Sequence, residues 1–135
     1  MQVNELVPIL NVSSIEQSVA WFEPLGWRVG FRWPHGAAEA GFAGIGCGKV
    51  EVFLCRGGQG ARGGPDPKFP GDDETGGNWM SWWLGSAAEV DEAHELVLRL
   101  GYEVSHPPTD EPWGVREFHL RHPDGHTFRV SAHSA

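Results

Sequence analysis

The chain reads as an α+β protein built from two tandem βαβββ modules, curved mixed sheets set around a cleft, and three observations support this. A strand, a serine-capped amphipathic helix, a glycine stop and three short strand candidates occur in that order twice. The two helix exits correspond, Leu25-Gly26-Trp27-Arg28-Val29 beside Leu100-Gly101-Tyr102-Glu103-Val104. Between the copies runs Arg56–Gly77, twenty-two residues with eight glycines and three prolines, a connecting rather than a packing composition. At 135 residues everything fits one domain: a first module over about 1–56, a loop over 57–76 and a second module over about 77–135.

In the first module, residues 5–12 form an apolar strand. Ser13 is the expected N-cap of the helix that follows, with Glu16 closing a capping box. Ile15, Val19 and Phe22 fall on one helical face, and Gly26 ends the helix. Strands are expected at about 27–33, 38–46 and 49–55. In the second module, Asn78–Leu84 is the strand and Ser86 with Glu89 the capping box. Val90, Ala93, Leu96, Val97 and Leu100 make the apolar stripe, and Gly101 stops it. Strands follow near 102–105, 115–121 and 126–132. The last two form a hairpin, turned by Pro123-Asp124-Gly125.

Composition narrows the function classes. Eighteen acidic against ten basic residues give a net charge of −8, which argues against nucleic acid and suits a cationic ligand or simply a soluble surface. No basic leader followed by an apolar run opens the chain, and no window has the length of a membrane span, so a cytoplasmic protein is expected. Cys47 and Cys55 lie in no metal-binding or redox spacing and read as reduced core thiols. The glycines of the loop have no strand–loop–helix with a lysine around them, so a phosphate cradle is not expected. No nucleophile elbow or Ser/His/Asp arrangement is present. His122 and His126 are spaced i, i+4 but straddle a turn, so they share no helix face as a zinc pair does.

Aromatic residues are the unusual feature: seven tryptophans and seven phenylalanines beside a single tyrosine. Trp113 stands between Pro112 and Gly114 at the mouth of the last hairpin, an indole held at low entropic cost. Phe31 and Trp33 alternate on one strand, as do Glu51 and Phe53 on another. His35 follows Trp33-Pro34 at a loop tip. On the strand that opens the second module, Trp79 and Trp83 share one face and Met80 and Trp82 the other, so one set must pack against the helix. Trp113, Trp33 and His35 are best placed to sandwich a planar ligand, with the acids Asp66, Asp72, Asp73 and Glu74 of the loop available to meet positive charge.

The duplicated plan, the run Pro112-Trp113-Gly114…Arg116-Glu117-Phe118…Pro123-Asp124-Gly125 and the opening Val7-Pro8-Ile9-Leu10-Asn11-Val12…Trp21-Phe22…Leu25-Gly26 together resemble the glyoxalase/bleomycin-resistance proteins of the vicinal-oxygen-chelate superfamily. The likeness extends over essentially the whole chain. It implies a small homodimer with ligand clefts, in a family that holds both metal-dependent enzymes and metal-free binding proteins. The enzymes' four metal ligands align with Val7, Glu51, Met80 (or Trp79) and Arg129. Only Glu51 is a metal-ligand type, and arginine brings a positive charge to the place of the cation. The expectation is therefore no metal and no cofactor, with Glu51 and Arg129 facing each other as an ion pair. A register slip of one or two positions brings Glu5, His119 or His126 into the set instead.

The resemblance implies a non-catalytic, drug-sequestering resistance protein for a bleomycin-like or planar aromatic antibiotic of the mitomycin or anthraquinone-enediyne kind. The expected binding residues are Phe31, Trp33, His35, Glu51, Phe53, Trp79, Trp82, Trp113 and Arg129, with no catalytic residue. The alternatives are a metal-dependent enzyme of the same fold (a lyase, isomerase, dioxygenase or thiol transferase) and a binder of an aromatic metabolite such as a flavin.

Overall fold

The computed structural model describes residues 1–36, 38–57 and 77–134. The chain divides into two compact units, Met1–Arg62 and Gly63–Ala135. Each has the βαβββ order. In the first, β1 (Ile9–Val12) leads into α1 (Ile15–Phe22), a short 3-10 turn (Glu23–Leu25), β2 (Arg28–Trp33), β3 (Phe42–Cys47) and β4 (Val50–Arg56). In the second, β5 (Trp79–Trp83) leads into α2 (Ala87–Arg99), β6 (Glu103–Glu111), β7 (Val115–Arg121) and β8 (Thr127–His133). The sheet orders correspond, β1-β4-β3-β2 and β5-β8-β7-β6, and in both the first strand joins the last in parallel while the remaining pairs are antiparallel. The expected α+β class holds.

Local signals explain most of the elements. Ser86 accepts from the Glu89 backbone N–H, the cap expected from sequence. The first helix is capped by Ser14, not by Ser13: its hydroxyl accepts from the Gln17 N–H. Two adjacent serines offer the same chemistry, and the helix takes the one whose φ/ψ is extended and whose oxygen reaches three residues on. Gly26 and Gly101, with φ of 100° and 74°, end both helical segments in the left-handed region where side chains are disfavoured. β1 is shorter than the strand expected over 5–12, and β6 is longer than that expected over 102–105. β6 runs through Pro107-Pro108 by shifting register against β7 between Val104 and His106 and again between His106 and Thr109.

Each core lies between a helix and one face of its sheet. In the first unit Leu10, Val12, Ala43, Ile45, Val52 and Leu54 are buried with Ile15, Val19 and Phe22 of α1. Trp21 and Trp27 close this core edge-on against Phe22, at 4.9 and 5.6 Å. In the second, Phe118, Leu120, Phe128 and Val130 are buried with Val90 and Val97 of α2. A corresponding ion pair clips each helix to its sheet, Arg32–Glu16 and Arg116–Asp91, both at 2.8 Å. Cys47 is half-buried, Cys55 is buried, and both are free thiols.

Candidate ligand-binding faces

Side chains alternate across a strand, so every residue that leaves the helix side stands on the opposite face of its sheet. In the first unit this helix-distal face is apolar. Phe31, Phe42 and Phe53 come from three adjacent strands, with ring centroids 5.2 to 6.0 Å apart. The cluster closes because Phe31 lies over Gly44: a Cβ there would overlap the Phe31 ring. Glu51 sits two residues from Phe53 on the same strand and is half-buried. Trp33 is exposed and meets His35 edge-on at 6.0 Å. Thus Phe31 and Phe53 come together, as do Trp33 and His35.

The helix-distal face of the second unit is polar and charged around its aromatics. Trp79, Trp83, Glu117, His119, Arg129 and Ser131 all belong to it, as register pairs Glu117↔Ser131, His119↔Arg129 and Trp83↔Ser131 require. Trp79 is exposed and meets the edge of His119 at 5.3 Å. His119 in turn lies 4.6 Å from the ring of His106, which shares a 2.9 Å hydrogen bond with Glu111. Trp83 stacks on His133 at 4.5 Å.

At the centre of this face Arg129 is held in a fork. Its Nε donates to Glu117 Oε2 at 2.9 Å and its Nη2 to Glu117 Oε1 at 3.1 Å. Ser131 Oγ donates a further 3.0 Å bond to Glu117 Oε2. Glu117 is only 2% exposed, whereas the Arg129 side chain is 35% exposed, so the pair offers its guanidinium outward and keeps its carboxylate inside. Burial pushes the Glu117 carboxyl up, but the bonds from Arg129 and Ser131 outweigh it and hold the group below the ordinary carboxylate range. Burial, reinforced by neighbouring His106, keeps the His119 pKa below the usual histidine value.

Two expectations are revised here. The carboxylate against Arg129 is Glu117, not Glu51, because the hairpin register places Glu117 diagonally beside it on the next strand. Trp82 stands on the helix side, stacked on Phe128 at 4.3 Å, and Trp79 and Trp83 are the indoles of the other face. Trp113 is exposed on the Glu111–Gly114 turn between β6 and β7, and no ring among the described residues packs on it. The loop acids Asp66, Asp72, Asp73 and Glu74 lie outside the described residues.

The four positions aligned with metal ligands do not fit a metal. Val7 has no donor side chain, Met80 is turned to the helix side with Trp82, and the Arg129 guanidinium is committed to Glu117. Glu5 is exposed ahead of β1, and His126 Nδ1 accepts from the Asn78 N–H in the buried turn. Among the described residues no trio of His, Cys, Asp and Glu is set to hold an ion, and no helix is long and apolar enough to cross a membrane.

Sequence comparison accords with this architecture. The family model described as Glyoxalase/Bleomycin resistance protein/Dioxygenase superfamily matches residues 2–130. The chain belongs to that superfamily. No curated protein is significantly similar to it in sequence. Solved structures of the superfamily fold superpose over nearly the full chain. TioX from Micromonospora sp. ML1 has a TM-score of 0.75 at 22% identity, covering 97% of this chain and 99% of its own. Lactoylglutathione lyase from Agrobacterium tumefaciens has a TM-score of 0.71 at 18% identity, covering 98% and 96%. A bleomycin-binding protein complexed with bleomycin has a TM-score of 0.67 at 19% identity, covering 96% and 98%. At these identities the likeness shows the fold, which in this superfamily serves both a lyase and a drug-binding protein.

Proposed function

We propose that this superfamily member binds a flat aromatic small molecule, of the kind found in antibiotics, and sequesters it without transforming it. The observation that carries the proposal is the Arg129–Glu117 fork beside exposed Trp79. A hydrogen-bond donor of fixed direction shares a sheet face with an exposed indole, at a position where the resemblance assigns the enzymes a metal ligand. Binding alone requires no transition-state stabilisation, and no nucleophile or general base is needed on this face. Stacking on Trp79 contributes about 0.5–1.5 kcal/mol beyond area burial. The larger share comes from covering apolar ring surface, roughly 25 cal/mol per Å2. Bleomycin binding by a structural relative makes an antibiotic ligand the first class to test, and a homodimeric, cytoplasmic protein is part of the same proposal.

Titration of tryptophan fluorescence with bleomycin, a mitomycin, an anthraquinone and a flavin tests it. Saturable quenching at micromolar concentration by one of the antibiotic-type compounds, with the compound recovered unchanged, is the expected result. Turnover of the compound together with a stoichiometric divalent metal in protein purified without chelator would replace sequestration by catalysis. Quenching by the flavin alone would assign an ordinary metabolite.

A further inference from the structure

We infer that the buried Glu117 sets ligand charge: by cancelling Arg129 it makes the helix-distal face of the second sheet a subsite for an uncharged aromatic carbonyl, such as a ring carboxamide or quinone, and disfavours a ring carboxylate. This inference rests on the proposal that a flat ring binds here, and adds which ring substituent is accepted.

An arginine open to a ligand ordinarily selects anions. Here two of its N–H groups are spent on a carboxylate that is itself out of solvent. The Nη1 amino group takes no partner among the described residues, so its two N–H groups and the second N–H of Nη2 remain as directed donors without the net charge that normally accompanies them. The rest of the face adds no positive excess. Three carboxylates, Glu103, Glu111 and Glu117, stand against two guanidinium groups, Arg121 and Arg129, by the register of β6, β7 and β8. Among the described residues of the sheet, His106, His119 and His133 complete its titratable groups, and burial disfavours the charged form of His119. An incoming carboxylate therefore loses its hydration and meets a slightly negative surface, whereas a carbonyl oxygen takes the same N–H bond at smaller desolvation cost.

The geometry links donor and ring platform. Trp79 pairs with Thr127, two residues along β8 from Arg129, and Ser81 pairs with Arg129 itself. Strand spacing and rise place the Trp79 and Arg129 backbones about 8 Å apart on one face. A fused two-ring system stacked on Trp79 carries its substituent toward that guanidinium. Ser81, directly opposite Arg129 on β5, is small and exposed.

The test uses two probes that differ only in charge, 2-naphthamide and 2-naphthoate, titrated calorimetrically into the full chain at neutral pH. The expected result is that the amide binds at least tenfold more tightly. In Glu117→Gln, which keeps the shape and a bond from Ser131 but frees the Arg129 charge, the naphthoate gains and the ratio falls by tenfold or more. A purely structural role for Glu117 weakens both probes alike and leaves the ratio unchanged, which overturns the inference. Equal binding of the two probes to the wild-type protein, or tighter naphthoate binding, overturns it as well, and this comparison decides alone if Glu117→Gln does not fold. If Trp79→Ala leaves both affinities unchanged, or neither probe binds, the flat-ring proposal itself fails at this face and takes the charge rule with it.

Discussion

His122 and His126 face each other across the turn that closes the β7–β8 hairpin, both buried, with ring centroids 5.4 Å apart. Each uses Nδ1 as an acceptor: His122 from the Asp124 N–H at 3.0 Å, His126 from the Asn78 N–H at 3.1 Å. Both rings are thereby held as the neutral tautomer that carries its proton on Nε2. Protonating either Nδ1 would set N–H against N–H in a dry site. Burial, with His126 adding to it, pushes the His122 pKa down to about 4.

A pH dependence of stability follows. The folded pKa of His122 is depressed below its unfolded value of about 6.5, so the unfolded chain takes up the proton first as pH falls. Stability is full above pH ~6.5, declines between ~6.5 and ~4, and loses no more from this group below ~4. The loss is on the order of 3 kcal/mol. Denaturant unfolding at pH 7.5, 5.5 and 4 measures it. His122→Gln should be less stable at pH 7.5 but flatter across that window, and an unchanged slope would reject the assignment. Glu117, held below the ordinary carboxylate range, acts at lower pH: its contribution is present above its unfolded pKa and is lost as pH falls through the folded one.

Breaking the Glu117–Arg129 pair from one side should cost far more than removing both. Glu117→Leu or Arg129→Met leaves the surviving partner without its counter-charge, at about 3–5 kcal/mol for a fully buried pair and less on the half-exposed arginine side. The double variant Glu117→Leu/Arg129→Met should recover most of that loss. Unfolding free energies of the three variants give the coupling directly, and strict additivity would show that the two do not act as a unit.

Gly44 should tolerate no side chain while Phe31 keeps its place. Gly44→Val overlaps the Phe31 ring and displaces it from Phe42 and Phe53. A destabilisation of about 1–3 kcal/mol is expected. Phe31→Ala in the same background should relieve part of it, as a double-mutant cycle would register.

The tryptophans should separate by face. Trp82→Ala removes a half-buried indole from its stack on Phe128 and should cost about 2–3 kcal/mol, somewhat below the usual figure for a fully buried aromatic. Trp113→Ala, at an exposed turn, should stay within about 0.5 kcal/mol of the parent. If Trp113 joins the bound ring, its loss weakens ligand binding by roughly 2–13-fold, the equivalent of one aromatic contact. Unchanged affinity would make it a surface residue only.

The parts of this molecule that depend on neighbours in sequence were legible in advance. Ser86 with Glu89, the glycine stops and the Pro123-Asp124-Gly125 turn are local chemistry, and they place α2, both helix ends and the β7–β8 hairpin. The extent of β6 was not, because Pro107-Pro108 looks like a stop and only pairing with β7 carries the strand past it. The Glu117–Arg129 fork lay within reach. Once the turn is centred on Asp124, Glu117 stands opposite Ser131 and diagonal to Arg129. The aligned metal positions directed attention to Glu51 instead, and a contact to Glu51 depends on tertiary arrangement that no local pattern encodes. Which face of β5 meets the helix was likewise undetermined by alternation, which fixes the two sets but not their sides.

That alternation has an evolutionary corollary. On β5, β7 and β8 the even-numbered positions, Met80, Trp82, Phe118, Leu120, Phe128 and Val130, hold the sheet to its helix. The odd-numbered ones Trp79, Ser81, Trp83 and His119 are relieved of that duty, whereas Arg129 stays bound to Glu117. A lineage can therefore rewrite its odd positions and change the molecule it captures while inheriting the same scaffold. Libraries randomised at those positions should yield folded proteins at much higher frequency than libraries of equal size at the even ones.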